Sequence, residues 1–402
     1  MTRDLEQGVE SQTPFGKSLM EYRRFGRTER QLSVITLGGM RYHDGWSKPR
    51  DEPHPEMIDQ CKRSILRAKS EGINHIETAH GYGKSEHCYG IALEELGIER
   101  DAFVLMTKGS AKSGDEMRRV FAEQLEGLRT DHIDLYGFHG INNSEILDAV
   151  LQKGGPLDVL EEFQAEGRIG SIGFSTHAPT DVICRAVLTN RFDFVNLHYY
   201  YFWQRNLAAL QLAQSLDMGV FIISPNDKGG HLFNPPPLLK RLTAPLTPIQ
   251  WGARFCLRLP YVHTLSFGMN EPSHFDEMRG IFPLSIPLSR SDLQIQERLD
   301  ARLLEDPLSA YEGYDMIGDP SGINIPEVLR FRRMLKCYDM EAFGKYRYNM
   351  FEGKGHWFTG HLATPENVER VDESRVPPGL PLKEMLNETH ARLFVQKKSE
   401  QR

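Results

Sequence analysis

Short apolar runs recur along this chain, separated by longer stretches whose apolar residues fall at helical spacing. The runs are Val34–Leu37, His75–Glu77, Val104–Thr107, Ile133–Phe138, Ser171–Ser175, Phe194–His198, Val220–Ile223 and Thr264–Phe267. Between them lie amphipathic segments such as Glu56–Glu71, Glu86–Leu96, Glu116–Leu128 and Pro248–Arg258, with 3.6-type periodicity. Eight β–α units over roughly 250 residues are the size of a (β/α)₈ barrel. An open doubly wound sheet is the competing α/β arrangement, but it asks for a Gly-x-Gly-x-x-Gly turn after an early strand, and the sequence has none. The expected fold class is therefore α/β, a (β/α)₈ or TIM barrel.

The rhythm sets the boundaries. Residues 1–20 are polar and read as a flexible lead-in, and Tyr22–Leu32 reads as a hairpin around Gly26-Arg27-Thr28. The barrel is expected over 21–304. After Leu304 the alternation stops, so 305–402 reads as a C-terminal, mainly helical or irregular extension. It holds an arginine-rich helix (Glu327–Tyr338), an aromatic stretch (Tyr346–Phe358) and a proline-bearing closing arm. Arg330, Arg332 and Arg333 read as a solvated face or docking surface. The polar link Arg41–Pro55 leaves the end of the first strand and is a candidate substrate loop.

Composition narrows the class of function. At 402 residues, 40% apolar and 26% charged, the chain is an ordinary globular protein. A net charge of −7 argues against nucleic acid or an anionic membrane as partner. No run is long enough to span a bilayer. Cys61, Cys88, Cys184, Cys256 and Cys337 are scattered, with no Cys-x-x-Cys pair. That fits a reducing compartment, with the cytoplasm as the default, and offers no metal–thiolate site. Oligomeric state is not legible.

Four residues carry candidate chemistry. Glu77 ends one strand and Tyr82 follows it; Lys108 and His139 end the next two. In a barrel those ends share the catalytic face. A tyrosine titrates near pH 10, and an ammonium within about 4–6 Å favours its phenolate and lowers that value. Lys108, anchored by Glu77, could supply the charge, and His139 could donate to a carbonyl oxygen beside Tyr82. Such a set polarises an aldehyde or ketone but holds no electron source, so it implies a bound hydride donor.

The same residues carry a resemblance to the aldo-keto reductase family. The family's Asp-Thr-Ala-x-x-Tyr-Gly segment is matched by Glu77-Thr-Ala-His-Gly-Tyr82-Gly83, and its lysine and histidine strands by Lys108 and His139. Gly167-Arg-Ile-Gly-Ser-Ile-Gly-Phe-Ser175-Thr176, Val195-Asn196-Leu-His-Tyr199 and Ser224-Pro-Asn-Asp-Lys228-Gly229 resemble three further segments in the right order. The resemblance implies NAD(P)H-dependent reduction of a small-molecule carbonyl substrate, with Tyr82 as acid. It implies that Ser175, Thr176 and Asn196 hold the nicotinamide, and that Ser224 and Lys228 lie along the pyrophosphate. Gly268, Asn270 and His274 in the last β–α loop would line the adenosine end. Several positions depart from the family pattern: Glu77 replaces an aspartate, Thr176 an asparagine, and Ile223 a ring-stacking tyrosine. Met269 and Glu271 bring no positive charge for a 2′-phosphate, which leaves NADP and NAD both open with a lean away from NADP.

The tail resembles a ferredoxin-like extension of one subgroup, yet Cys337 stands alone where a four-iron cluster needs four thiolates. No iron–sulfur cluster is expected. Two other functions are compatible with the residues: a cofactor-binding redox sensor or scaffold with weak catalysis, and a metal-dependent barrel hydrolase using His75, Glu77, His80, His139 and His177.

Overall fold

A computed structural model describes residues 19–42, 49–226, 228–311, 318–350 and 360–396. Eight parallel strands close into a barrel. In chain order they are β1 (Ile35–Gly38), β2 (His75–Glu77), β3 (Val104–Gly109), β4 (Ile133–His139), β5 (Ile169–Ser175), β6 (Phe194–Leu197), β7 (Gly219–Ile223) and β8 (Thr264–Phe267). Each pairs with its sequence neighbour, and β8 pairs with β1 to close the ring. All eight expected runs are present, with ends shifted by no more than two residues. The helices follow as expected: Pro55–Ser70, Ser85–Glu95, Gly114–Leu128 and Pro248–Leu257. Their starts are chemically marked. Ser113 caps the third of these from its side chain, and Thr247 makes a capping box with Gln250, which satisfies amide groups a helix start leaves unpaired.

The hairpin is real and has a packing job. Tyr22–Arg24 pairs antiparallel with Gln31–Ser33, and Phe25 between them is fully buried. Its ring lies 5.6 Å from that of Phe194, inside a small cluster with Leu32, Met106, Leu135 and Phe221. Phe25 thus plugs the N-terminal end of the barrel, and burying such a ring is worth about 2–3 kcal/mol. Gly219 makes room for it: a Cβ there would sit 2.7 Å from the Phe25 ring.

The extension differs most from expectation. Helices Ile325–Tyr338, Glu341–Tyr348 and Leu382–Leu393 pack on one another, so the closing arm is partly helical. The arginine-rich helix does not present a solvated face. The Arg330 and Arg332 side chains are each only 10% exposed, and Arg332 Nη1 donates to Asp306 at 2.5 Å. The hydrophobic pattern alone cannot show this, because an arginine stem packs like an aliphatic chain while its head finds a carboxylate. Tyr199 lies beyond the end of β6 and is fully buried, stacked on Phe255 as part of the core. Tyr201 donates to Asp300 at 2.6 Å and meets the Tyr338 hydroxyl at 3.2 Å, which ties the barrel to the extension. The lead-in up to residue 18, residues 43–48 of the loop after β1, and 351–359 of the aromatic stretch lie outside the described residues.

Candidate active site

Glu77 ends β2, and the chain then turns over the barrel mouth. Thr78 N bonds to Met106 O at 2.9 Å and His80 N to Lys108 O at 2.8 Å, so the turn continues the β2–β3 ladder before Tyr82 swings back. Lys108 is 1% exposed and Glu77 3%. The Lys108 ammonium donates to Glu77 Oε1, and to Thr78 O at 2.8 Å. Tyr82 Oη donates to the same Glu77 Oε1 at 3.3 Å. Ser266 Oγ on β8 donates to Glu77 Oε2 at 3.0 Å. The two-glycine end of β1 permits this: a Cβ on Gly38 would sit 2.6 Å from Ser266 Oγ. His139 closes the group, its ring 5.6 Å from that of Tyr82 and edge-on to it. Three strand ends therefore bring Glu77, Tyr82, Lys108 and His139 together.

The electrostatics correct one expectation. Lys108 does not lower the Tyr82 pKa; burial pushes the hydroxyl well above its ordinary value. The geometry gives the reason. The ammonium lies 4.7 Å over the face of the Tyr82 ring, and the oxygen itself faces the Glu77 carboxylate. The half-buried phenol thus stays protonated with a carboxylate, not a bare cation, beside it. The longer glutamate is what reaches between tyrosine and lysine.

A second group lies on β5 to β7. Ser175 and Asn196 are in register across β5 and β6. Ser175 Oγ accepts from Gly140 N at 3.1 Å. Asn196 is fully buried; its Nδ2 meets Met106 Sδ at 3.7 Å, and its Oδ1 has no donor among the described residues. Whichever way that amide is turned, one polar atom faces the site unmatched, a costly state unless a ligand supplies the partner. A carboxamide, donor and acceptor at once, fits beside Asn196 and Ser175. The Thr176 hydroxyl donates back to Ile141 O at 2.6 Å, so it holds the β4–β5 loop rather than pointing at a ligand. Ser224 follows β7 in the left-handed region, φ 55°, and lines the mouth.

A groove beside the last β–α loop holds a residue that no motif marks. Arg41, just past β1, is substantially buried, and burial lowers its pKa. Its guanidinium sits 5.7 Å from the Phe233 ring. A Cβ on Gly268 would come within 2.6 Å of its Nε. His274 stacks on Phe233 with centroids 3.9 Å apart, and its Nδ1 faces Asn270 N at 3.4 Å. Gly268, Asn270, His274 and Arg41 thus share one groove. A cation two residues after Gly38-Gly39 was the available signal. The Lys228 side chain lies outside the described residues.

The ligand set of the hydrolase alternative is dispersed. His75 is in the barrel interior, 2.9 Å from Thr36 Oγ1, and His80 Nε2 pairs with Glu123 at 2.9 Å. Among the described residues no three His, Cys, Asp or Glu converge to hold a metal. No helix of the described residues is long and apolar enough to cross a membrane.

Residues 34–232 match the sequence model of the Aldo/keto reductase family. An aldo-keto reductase of Mycobacterium sp. (strain KMS) is 29% identical over 126 residues, 30% of this chain and 42% of that protein. The NADH-specific methylglyoxal reductase of Escherichia coli (strain K12) is 29% identical over 196 residues, 43% of this chain and 57% of that protein. This chain therefore spans about half of such relatives or less. An aldo-keto reductase of Klebsiella pneumoniae solved with NADPH shares the fold, with a TM-score of 0.54 at 20% identity over 69% of this chain and 94% of that one. Residues 34–232 thus form an Aldo/keto reductase family domain, set within a barrel of the same fold as the solved aldo-keto reductase.

Proposed function

We propose that this protein is an NAD(P)-dependent oxidoreductase that reduces an aldehyde or ketone, or runs the reverse alcohol oxidation, with Tyr82 as proton donor. The observation that carries this reading is the shared contact of Tyr82 and Lys108 on Glu77 Oε1, with an unmatched Asn196 amide, in register with Ser175, across the barrel mouth. A dihydronicotinamide held there supplies the hydride.

The chain's own residues do the rest. Tyr82 keeps its proton until a carbonyl oxygen gains charge, and then passes it on. His139, edge-on to Tyr82, orients that oxygen. Lys108, over the ring face, and Glu77, braced by Ser266, fix the position of the Tyr82 hydroxyl. Asn196 and Ser175 would hold the carboxamide of a bound nicotinamide, and Arg41 would offer a positive charge to the cofactor's phosphates. Glu271, which accepts from Gln60 at 3.1 Å, puts a carboxylate in the last β–α loop, so NADH should bind at least as well as NADPH. That preference matches the NADH-specific relative.

The test is Tyr82→Phe. Turnover of a panel of aldehydes, ketones and keto-sugars should fall by about 10²-fold or more, while cofactor fluorescence titrations stay within about twofold of the parent. Unchanged turnover would remove Tyr82 from the mechanism. A second reading, a cofactor-binding sensor with weak catalysis, draws on Glu77 standing against the Tyr82 oxygen. Tight cofactor binding with no turnover across the panel would favour it.

A further inference from the structure

The extension does more than lengthen the chain. Helices Ile325–Tyr338 and Glu341–Tyr348 lie against the mouth of the barrel on the β5–β7 side. Together they close a small pocket with the ends of those strands. Arg330, Arg347 and Glu327 come from the extension, and His177, Trp203 and Ser224 from the barrel loops. Apart from Ser224 no motif of the sequence marks this pocket, and the reductase chemistry uses none of the extension residues.

Arg330 is built into the wall. Its guanidinium lies 4.7 Å over the Trp203 ring and 4.8 Å over Phe331. Its Nη2 donates to Glu327 Oε2 at 3.2 Å. Its Nε is buried without an acceptor among the described residues. A guanidinium stacked in this way is planar, fixed and always charged, and its open edge suits a phosphate or carboxylate oxygen. Arg347, 1% exposed, brings a second guanidinium to the lining against the single Glu327 carboxylate.

The barrel side is equally ordered. Tyr200 Oη donates to Ile223 O, so it must accept from His198 Nδ1–H. In the neutral pair, His198 Nε2 then accepts from His177 Nδ1–H, at 2.6 Å. This chain of hydrogen bonds fixes the His177 ring in the pocket wall.

We propose that this pocket is an anion subsite, taking a phosphate or carboxylate group carried by the carbonyl substrate or by the cofactor. Only the choice between those two carriers rests on the reductase reading; binding of the anion does not.

The experiment is calorimetric titration of the full chain with inorganic phosphate at low ionic strength, repeated on Arg330→Gln and Arg330→Lys. Saturable one-to-one binding is expected, weakened at least tenfold in Arg330→Gln and less in Arg330→Lys, with melting temperatures close to the parent. Absence of saturable binding, or equal affinity in Arg330→Gln, overturns the proposal. Should the variants fold poorly, the parent still decides. Phosphate should change tryptophan emission in the parent and not in Trp203→Phe, and an identical response in both would overturn the assignment. Repeating the titration with saturating NADH separates the carriers: joint binding assigns the anion to the substrate, and mutual exclusion to the cofactor diphosphate. If phosphate binds but NADH does not, the reductase reading falls while the pocket stands.

Discussion

Shortening Glu77 by one methylene should speed proton donation rather than cripple it. In the structure the Glu77 carboxylate stands 3.3 Å from Tyr82 Oη, and the Lys108 ammonium lies over the ring face. A phenolate at Tyr82 would therefore meet a negative neighbour closer than its positive one. At an effective dielectric near 20, two like charges at that distance repel by about 5 kcal/mol. Drawing the carboxylate back by one carbon–carbon bond, roughly 1.5 Å, removes about 1.5 kcal/mol of that. One pKa unit is about 1.4 kcal/mol, so Glu77→Asp should bring the Tyr82 pKa down by about one unit. A donor whose pKa lies closer to working pH transfers its proton faster, and with a Brønsted slope near one half the gain is roughly threefold. The assay is the pH–rate profile of carbonyl reduction and of alcohol oxidation in parent and variant. The alkaline limb of reduction, and the matching rise of oxidation, should begin about one unit lower in Glu77→Asp. An unmoved profile, or a rate loss beyond about tenfold, would mean that the site depends on the glutamate's reach, as an ångström-scale misplacement can cost about a hundredfold.

Three further outcomes follow from named contacts. Arg41→Gln removes the cation between Gly268 and Phe233; NADH affinity should drop about tenfold, or ~1.4 kcal/mol, with a weaker salt dependence, read by fluorescence titration at two ionic strengths. Asp306→Asn takes the counter-charge from Arg332 and Arg333, which should cost roughly 3 kcal/mol and expose the extension to limited proteolysis. An unchanged digestion pattern would show that the aromatic contacts alone hold it. Burial drives His75 from 6.5 to about 3, so the unfolded chain binds the extra proton between those values. That contribution is fully present above pH 6.5 and is lost as pH falls, by about 2 kcal/mol at pH 5. Urea midpoints at pH 7 and 5 should show this slope in the parent and a flatter one in His75→Asn.

Much of this protein is written along the chain. Eight apolar runs separated by helical periodicity leave a closed parallel barrel as the economical solution, because each run must bury both faces and each connection is long enough for a crossover helix. The same register puts Glu77, Tyr82, Lys108 and His139 at neighbouring strand ends. Other features depend on residues far apart in sequence. The partition of Glu77 between Tyr82 and Lys108 is one, since a methylene's difference in reach is invisible in a motif. The swing of Arg41 against Gly268, 227 positions along the chain, is another. The burial of Arg330 and Arg332 is the clearest: their pattern reads as solvated, and only docking against Trp203 and Asp306 turns them inward. Local pattern determines which face of an element is apolar. Only packing decides which polar groups that face traps, and at what charge.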